Sequence, residues 1–182
     1  MVRGELKPNS KSNITLSIDN QLLEQIKEDS EALGISVNAK INAILSRHIS
    51  FYKYAEMQKM MIIPPEIFSA MLERVEDEEM IMLLNKVALG TMPSVFAHNN
   101  IKPTLENLIK YCFENIFILG GMCTAFRHHA EDGHQVLVLE HQYSEKWSRV
   151  VGESLTFFLG EMLKKQVNYN ALPNTVTLKI MN

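Results

Sequence analysis

NITLSIDNQLLEQIKEDSEALGISVNAKINAILSRHI, residues 13–49, changes its hydrophobic period once and carries two helix start signals. Asn13 to Asp19 alternates polar and apolar residues, the two-residue period of a strand with one buried face. Ile14, Leu16 and Ile18 form the apolar side, and Asn13, Thr15 and Ser17 the polar side. From Leu22 the period becomes helical, with Leu22, Leu23, Ile26 and Leu33 on one side and Asp19 or Asn20 placed to cap the first turn. Gly34 stops that helix. Ser36 opens a second, whose apolar side is Val37, Ile41, Ile44, Leu45 and Ile49. The order is strand, helix, helix. One strand ahead of two short helices has no partner in its own unit, and an isolated strand is unstable in water, so a second copy of the chain is expected to supply the pairing.

This order and spacing resembles the ribbon-helix-helix repressors, the Arc and methionine-repressor group, over about residues 12–50. The resemblance implies that two such strands pair antiparallel and enter the major groove of double-stranded DNA. Asn13, Thr15 and Ser17 then become the base-reading positions. It also implies that the start of the second helix, at Ser36, Val37 and Asn38, lies against a phosphate, where exposed amides and the helix dipole favour an anion. The polar strand face has no Arg, Lys or Gln, the long side chains that most often contact purines, so Asn13 is expected to discriminate most.

Residues 1–12 read as a basic arm, with Arg3, Lys7 and Lys11 against Glu5, and with Gly4 and Pro8 discouraging regular structure. The arm is a further source of phosphate contacts. The reading divides the chain into the arm (1–12), a DNA-binding unit (13–56) and an α+β C-terminal domain (57–182). In that domain Ile67 to Val75 and Glu78 to Leu89 look helical, and Gly90 and Pro93 break the pattern. Leu105 to Leu119 is an apolar helix closed by Gly120-Gly121. Asp132-Gly133 marks a hairpin between two runs, Ser144 opens a helix carrying Trp147 to Met162, and Thr175 to Ile180 alternates as a strand. The domain reads α-ββ-α-β, and a strand at residues 59–63 would make it ferredoxin-like. The helices at 105–119 and 147–163 offer more apolar surface than one small sheet covers, so self-association through them is expected. Eleven methionines, seven of them between 57 and 92, suit either core or an adaptable interface.

The net charge of −3 excludes a globally basic nucleic-acid coat, so any DNA surface must be local. The two cysteines, Cys112 and Cys123, form no CxxC, which suits a reducing compartment, and the amino terminus has no signal-peptide core; a cytoplasmic protein without membrane association is expected. His128, His129, His134 and His141 crowd one hairpin, but 128 and 129 point to opposite faces, and exposed histidines beside a turn are the simpler reading. His134 and His141 are the metal candidates, and His141, just ahead of the Trp147 helix, is the one placed to face inward. No GxSxG, P-loop, HExxH or dinucleotide turn is present, so neither catalysis nor a cofactor is expected. The expected function is a transcriptional regulator, a homodimer or a tetramer, with a C-terminal domain that oligomerises or senses a ligand. The alternative is an antitoxin or adaptor whose C-terminal domain holds a partner protein.

Overall fold

The computed structural model describes residues 13–57 and 59–181, a mixed α+β protein in two compact units, Met1–Ser46 and Arg47–Asn182. In the first unit the local signals set the element ends. The Asp19 carboxylate accepts from the amides of Gln21 (2.9 Å) and Leu22 (3.3 Å) and starts helix α1, Asn20–Ala32. Gly34 takes a left-handed φ of 64°, and the amides of Gly34 and Ile35 close back on the Glu31 and Ser30 carbonyls, a Schellman end. The Ser36 hydroxyl then accepts from the Ala39 amide at 3.1 Å and starts α2, Val37–Arg47. Residues 13–19 enter no strand ladder in the single chain.

The second unit opens with a π-helical turn, His48–Tyr52, and α3, Lys53–Met57. Its boundary at Ser46–Arg47 assigns residues 47–56 to the C-terminal body. The stretch 59–63 is not a strand, so no ferredoxin-like sandwich forms. Lys59, at φ 52°, and Met60 close back on the Glu56 and Ala55 carbonyls, and the chain then runs into Pro64-Pro65, neither of which has an amide to give a ladder. Pro65 instead begins α4, Pro65–Leu72. Helix α5, Asp77–His98, runs straight through the expected break at Gly90 and Pro93. Pro93 lies on the exposed side, where the bond it withholds leaves a carbonyl that water can reach. The apolar helix after Thr104 begins as α6, Leu105–Leu108, and continues in π-helical form over Ile109–Ile118.

Strands β1 (Ala125–Glu131) and β2 (His134–Glu140) form the hairpin, with Asp132 and Gly133 both at positive φ as a type I′ turn requires. Helix α7, Glu145–Leu163, crosses the sheet to β3 (Val167–Leu172), which returns as β4 (Thr175–Ile180). All neighbours pair antiparallel in the order β1-β2-β4-β3. Register places Phe126, Leu137, Leu139, Tyr169, Val176 and Leu178 on one face. The core gathers there, joined by Trp147, Leu155, Phe158 and Leu159 of α7 and by Leu108, Cys112 and Phe113. Gly152 lets α7 approach closely, since a Cβ there would run into the Tyr169 ring. The helices at 105–119 and 147–163 are therefore spent on this core. The exposed large apolar side chains of the unit lie mostly elsewhere, at Met61, Ile62, Ile67, Met71, Met82, Leu83 and Val87.

Candidate nucleic-acid interface

Residues 13–46 combine well-formed helix ends with almost no interior. Ile14 is 72% and Leu16 52% exposed, and Leu22, Leu33, Ile35, Ile44 and Leu45 are exposed too. Ile26 is the one large apolar side chain fully buried among residues 13–46, and beside it the Ser30 hydroxyl donates to the Ile26 carbonyl at 2.6 Å. Seven exposed large apolar side chains are an unusually open apolar surface for so short a segment. On the intervening positions Asn13, Thr15 and Ser17 are exposed. Lys40 ties α2 to α1 through Asp29 at 2.8 Å.

At the start of α2, Ser36 and Asn38 are exposed and Val37 is half-buried. The Ser36 hydroxyl is engaged by the Ala39 amide, so the remaining first-turn donors are the amides of Val37 and Asn38. Arg3, Lys7 and Lys11 lie outside the described residues. Among residues 13–46 the acids Asp19, Glu24, Glu28, Asp29 and Glu31 face only Lys27 and Lys40. Helix α1 is thus an acidic surface, and any phosphate contact belongs to the strand, the α2 start and the arm.

The hairpin histidines do not converge. His134 and His141 sit at opposite ends of β2, roughly 20 Å apart by the rise of a strand, and cannot share an ion. His128 pairs with Gln135 across the hairpin at 2.6 Å. His141 does face inward: it is buried, its Nδ1 accepts from the Tyr143 amide at 3.3 Å, and its Nε2 lies 2.7 Å from the Ser148 hydroxyl. With Nδ1 accepting, the ring is neutral and donates from Nε2, and burial lowers its pKa below the ordinary value. Burial also pushes the Cys112 thiol up to about 12 and Cys123 to about 11, so neither is a thiolate at neutral pH. Among the described residues no three His, Cys, Asp or Glu side chains are grouped to hold a metal ion.

An apolar pocket of about 40 Å³, partly open, lies where both π-helical stretches meet α5. Phe51, Met60, Met92, Val95, Tyr111 and Ile116 form most of its wall. Pattern reading missed it because a π turn has no sequence period of its own; the residues looked like ordinary core. Comparison with protein-family models, with curated proteins and with solved structures found no match to this chain.

Proposed function

We propose that the chain is a sequence-specific DNA-binding regulator, active as a homodimer in which two copies of residues 13–18 pair as an antiparallel ribbon in the major groove. The observation that carries this reading is the capped helix-turn-helix preceded by an alternating segment whose apolar face, Ile14 and Leu16, is left open in one chain. A ribbon shared by two chains buries that face and turns Asn13, Thr15 and Ser17 towards base edges. The amides of Val37 and Asn38, with Arg3, Lys7 and Lys11, hold phosphates. The C-terminal unit oligomerises or takes an effector, and the pocket walled by Phe51, Met92 and Tyr111 has the size for a methyl-sized apolar group or a few waters.

The test is selection of bound sequences from random duplex DNA with full-length protein. One preferred site with two-fold symmetry is expected, and Leu16→Asp should abolish both the ribbon pairing and binding. Asn13→Ala or Thr15→Ala should relax preference by roughly 1–3 kcal/mol per lost good contact. Removing residues 1–11 should weaken all sequences alike and flatten the salt dependence.

A second reading, an antitoxin or adaptor whose first unit only dimerises, is favoured by the acidic α1 and by the lack of long donors on the strand. It predicts no enriched sequence and instead a protein that copurifies with the natively expressed chain.

A further inference from the structure

The outer side of α5 is a regular stripe: Glu79, Met82, Leu83, Lys86, Val87 and Gly90 recur at helical spacing and are exposed. The opposite side is fixed, with Leu84, Met92 and Phe96 packed into the core. A surface helix ordinarily turns charge outward, yet here Met82 is 61%, Leu83 44% and Val87 64% exposed. The stripe carries two charges, Glu79 and Lys86, and neither has an ion-pair partner among the described residues. Asp77, two residues before Glu79, is by contrast engaged by Lys146 at 3.5 Å and Arg149 at 3.1 Å.

We propose that this stripe pairs with the same stripe of a second copy, the two α5 helices crossing antiparallel about a two-fold axis between Met82 and Leu83. The charges select that arrangement. Glu79 and Lys86 are seven residues apart, about 10 Å along the helix, and an axis midway sets each against its opposite on the other copy. A parallel crossing would set Glu79 against Glu79 and Lys86 against Lys86. At the centre, Met82 of one chain meets Leu83 of the other, twice, so these exposed apolar side chains cover one another. By length and composition α5 would also cross a membrane, but with Met92 and Phe96 buried in a protein core and Leu84 packed against it the helix has only one side to offer. That side fits a second, similarly half-packed helix.

The contact deepens the assembly part of the proposed function, and the two are separable in the full chain by sedimentation velocity. Leu16→Asp removes the ribbon and should leave an α5-linked dimer. In that background Glu79→Lys alone or Lys86→Glu alone should raise the dissociation constant about tenfold or more, because like charges then meet, and the double reversal should bring it back. Glu79→Lys and Lys86→Glu change exposed side chains only, so the core of the C-terminal unit is untouched. A monomeric Leu16→Asp protein, single reversals without effect, or a double reversal without recovery overturns the α5 contact. If Leu16→Asp leaves assembly unchanged, it is the ribbon that falls, and the reversals then read the α5 contact directly. As a second measurement, Leu83→Cys provides an accessible thiol beside the axis, because Cys112 and Cys123 are buried. A short bis-maleimide should link two chains through it, whereas absence of the linked species, or vesicle binding lost on Leu83→Asp with no change of mass, identifies another occupant.

Discussion

Residues 13–46 and residues 47–181 meet the same requirement, burial of apolar side chains, in opposite ways. In the first, three helix ends are fixed by local devices, the Asp19 cap, the Gly34 turn and the Ser36 cap, yet most of the large apolar side chains those helices carry remain open. In the second, several elements have weak local signals, but Leu108, Phe113, Leu137, Leu159, Val176 and Leu178 are completely enclosed. Local devices set where elements begin and end. Enclosure needs more chain, supplied in the C-terminal unit by its own helices and, on the proposed reading, in the amino-terminal unit by a second copy. The first unit's stability should therefore depend on protein concentration and the second's should not.

The largest effect is expected from emptying the enclosed core. Phe113 is fully buried and stacks on Phe126 with ring centroids 5.0 Å apart. Phe113→Ala should cost about 3–5 kcal/mol in denaturant unfolding, at every protein concentration. A shift that vanished on raising the concentration tenfold would mean that the core is completed between chains, and the contrast between the units would fail.

Overfilling should cost less. At Gly152 a methyl group meets the Tyr169 ring, which lies on the edge strand and can turn outward. Gly152→Ala is expected to destabilise by about 1–3 kcal/mol, and adding Tyr169→Ala should remove part of that penalty. Additive losses in the double variant would mean that α7 does not rest on this ring.

What was legible in the sequence follows the same division. The Asp19, Gly34 and Ser36 signals and the Asp132-Gly133 turn act within a few residues, and each stands where its chemistry places it. Thr175 to Ile180 was equally plain, because Val176, Leu178 and Ile180 all point into the core. β3 escaped notice although Val167, Tyr169 and Ala171 alternate with Asn168 and Asn170, because the run is short and lacks a second large aliphatic on its inner face; it is an edge strand held by pairing with β4. Gly90 and Pro93 looked like breakers because the cost of each depends on which side of α5 faces solvent, a tertiary fact. The same misreading hid the outer stripe, since Met80 to Leu89 is apolar on both sides. Of the candidate site, the residue types and their alternation were readable, as was the inward place of His141 ahead of the Trp147 helix, whereas its partners, the Ser148 hydroxyl and the Tyr143 amide, were set only once the chain had folded.

His141 gives the C-terminal unit a pH dependence of known sign. Its pKa is lowered in the fold from the ordinary 6.5 by burial, so the folded state prefers the neutral ring. Its contribution is complete above the unfolded value and is lost as pH falls from there through the folded value. Unfolding midpoints should fall on acidification below about pH 6.5, and His141→Gln should flatten that part of the profile while lowering stability at pH 7.5. Parallel profiles for the two proteins would show that the ring takes up its proton as readily in the fold as in the unfolded chain.

The smallest effect separates two roles at one residue. Ser36 caps α2 through its hydroxyl, and on the proposed reading the same turn faces a phosphate through the Val37 and Asn38 amides. Ser36→Ala removes the cap and should cost about 1 kcal/mol of stability, weakening DNA binding only in so far as the turn loosens. Ser36→Asp keeps an acceptor for the Ala39 amide and favours the helix dipole, so stability should stay within a few tenths of a kcal/mol. The new carboxylate, however, stands where the phosphate would approach, and affinity for the selected site should drop in low salt and recover in part as salt screens the repulsion. Stability and affinity then move apart: Ala lowers stability, Asp lowers affinity. If instead affinity follows stability in both variants, Ser36 is a cap alone and the phosphate is held by the arm at Arg3, Lys7 and Lys11.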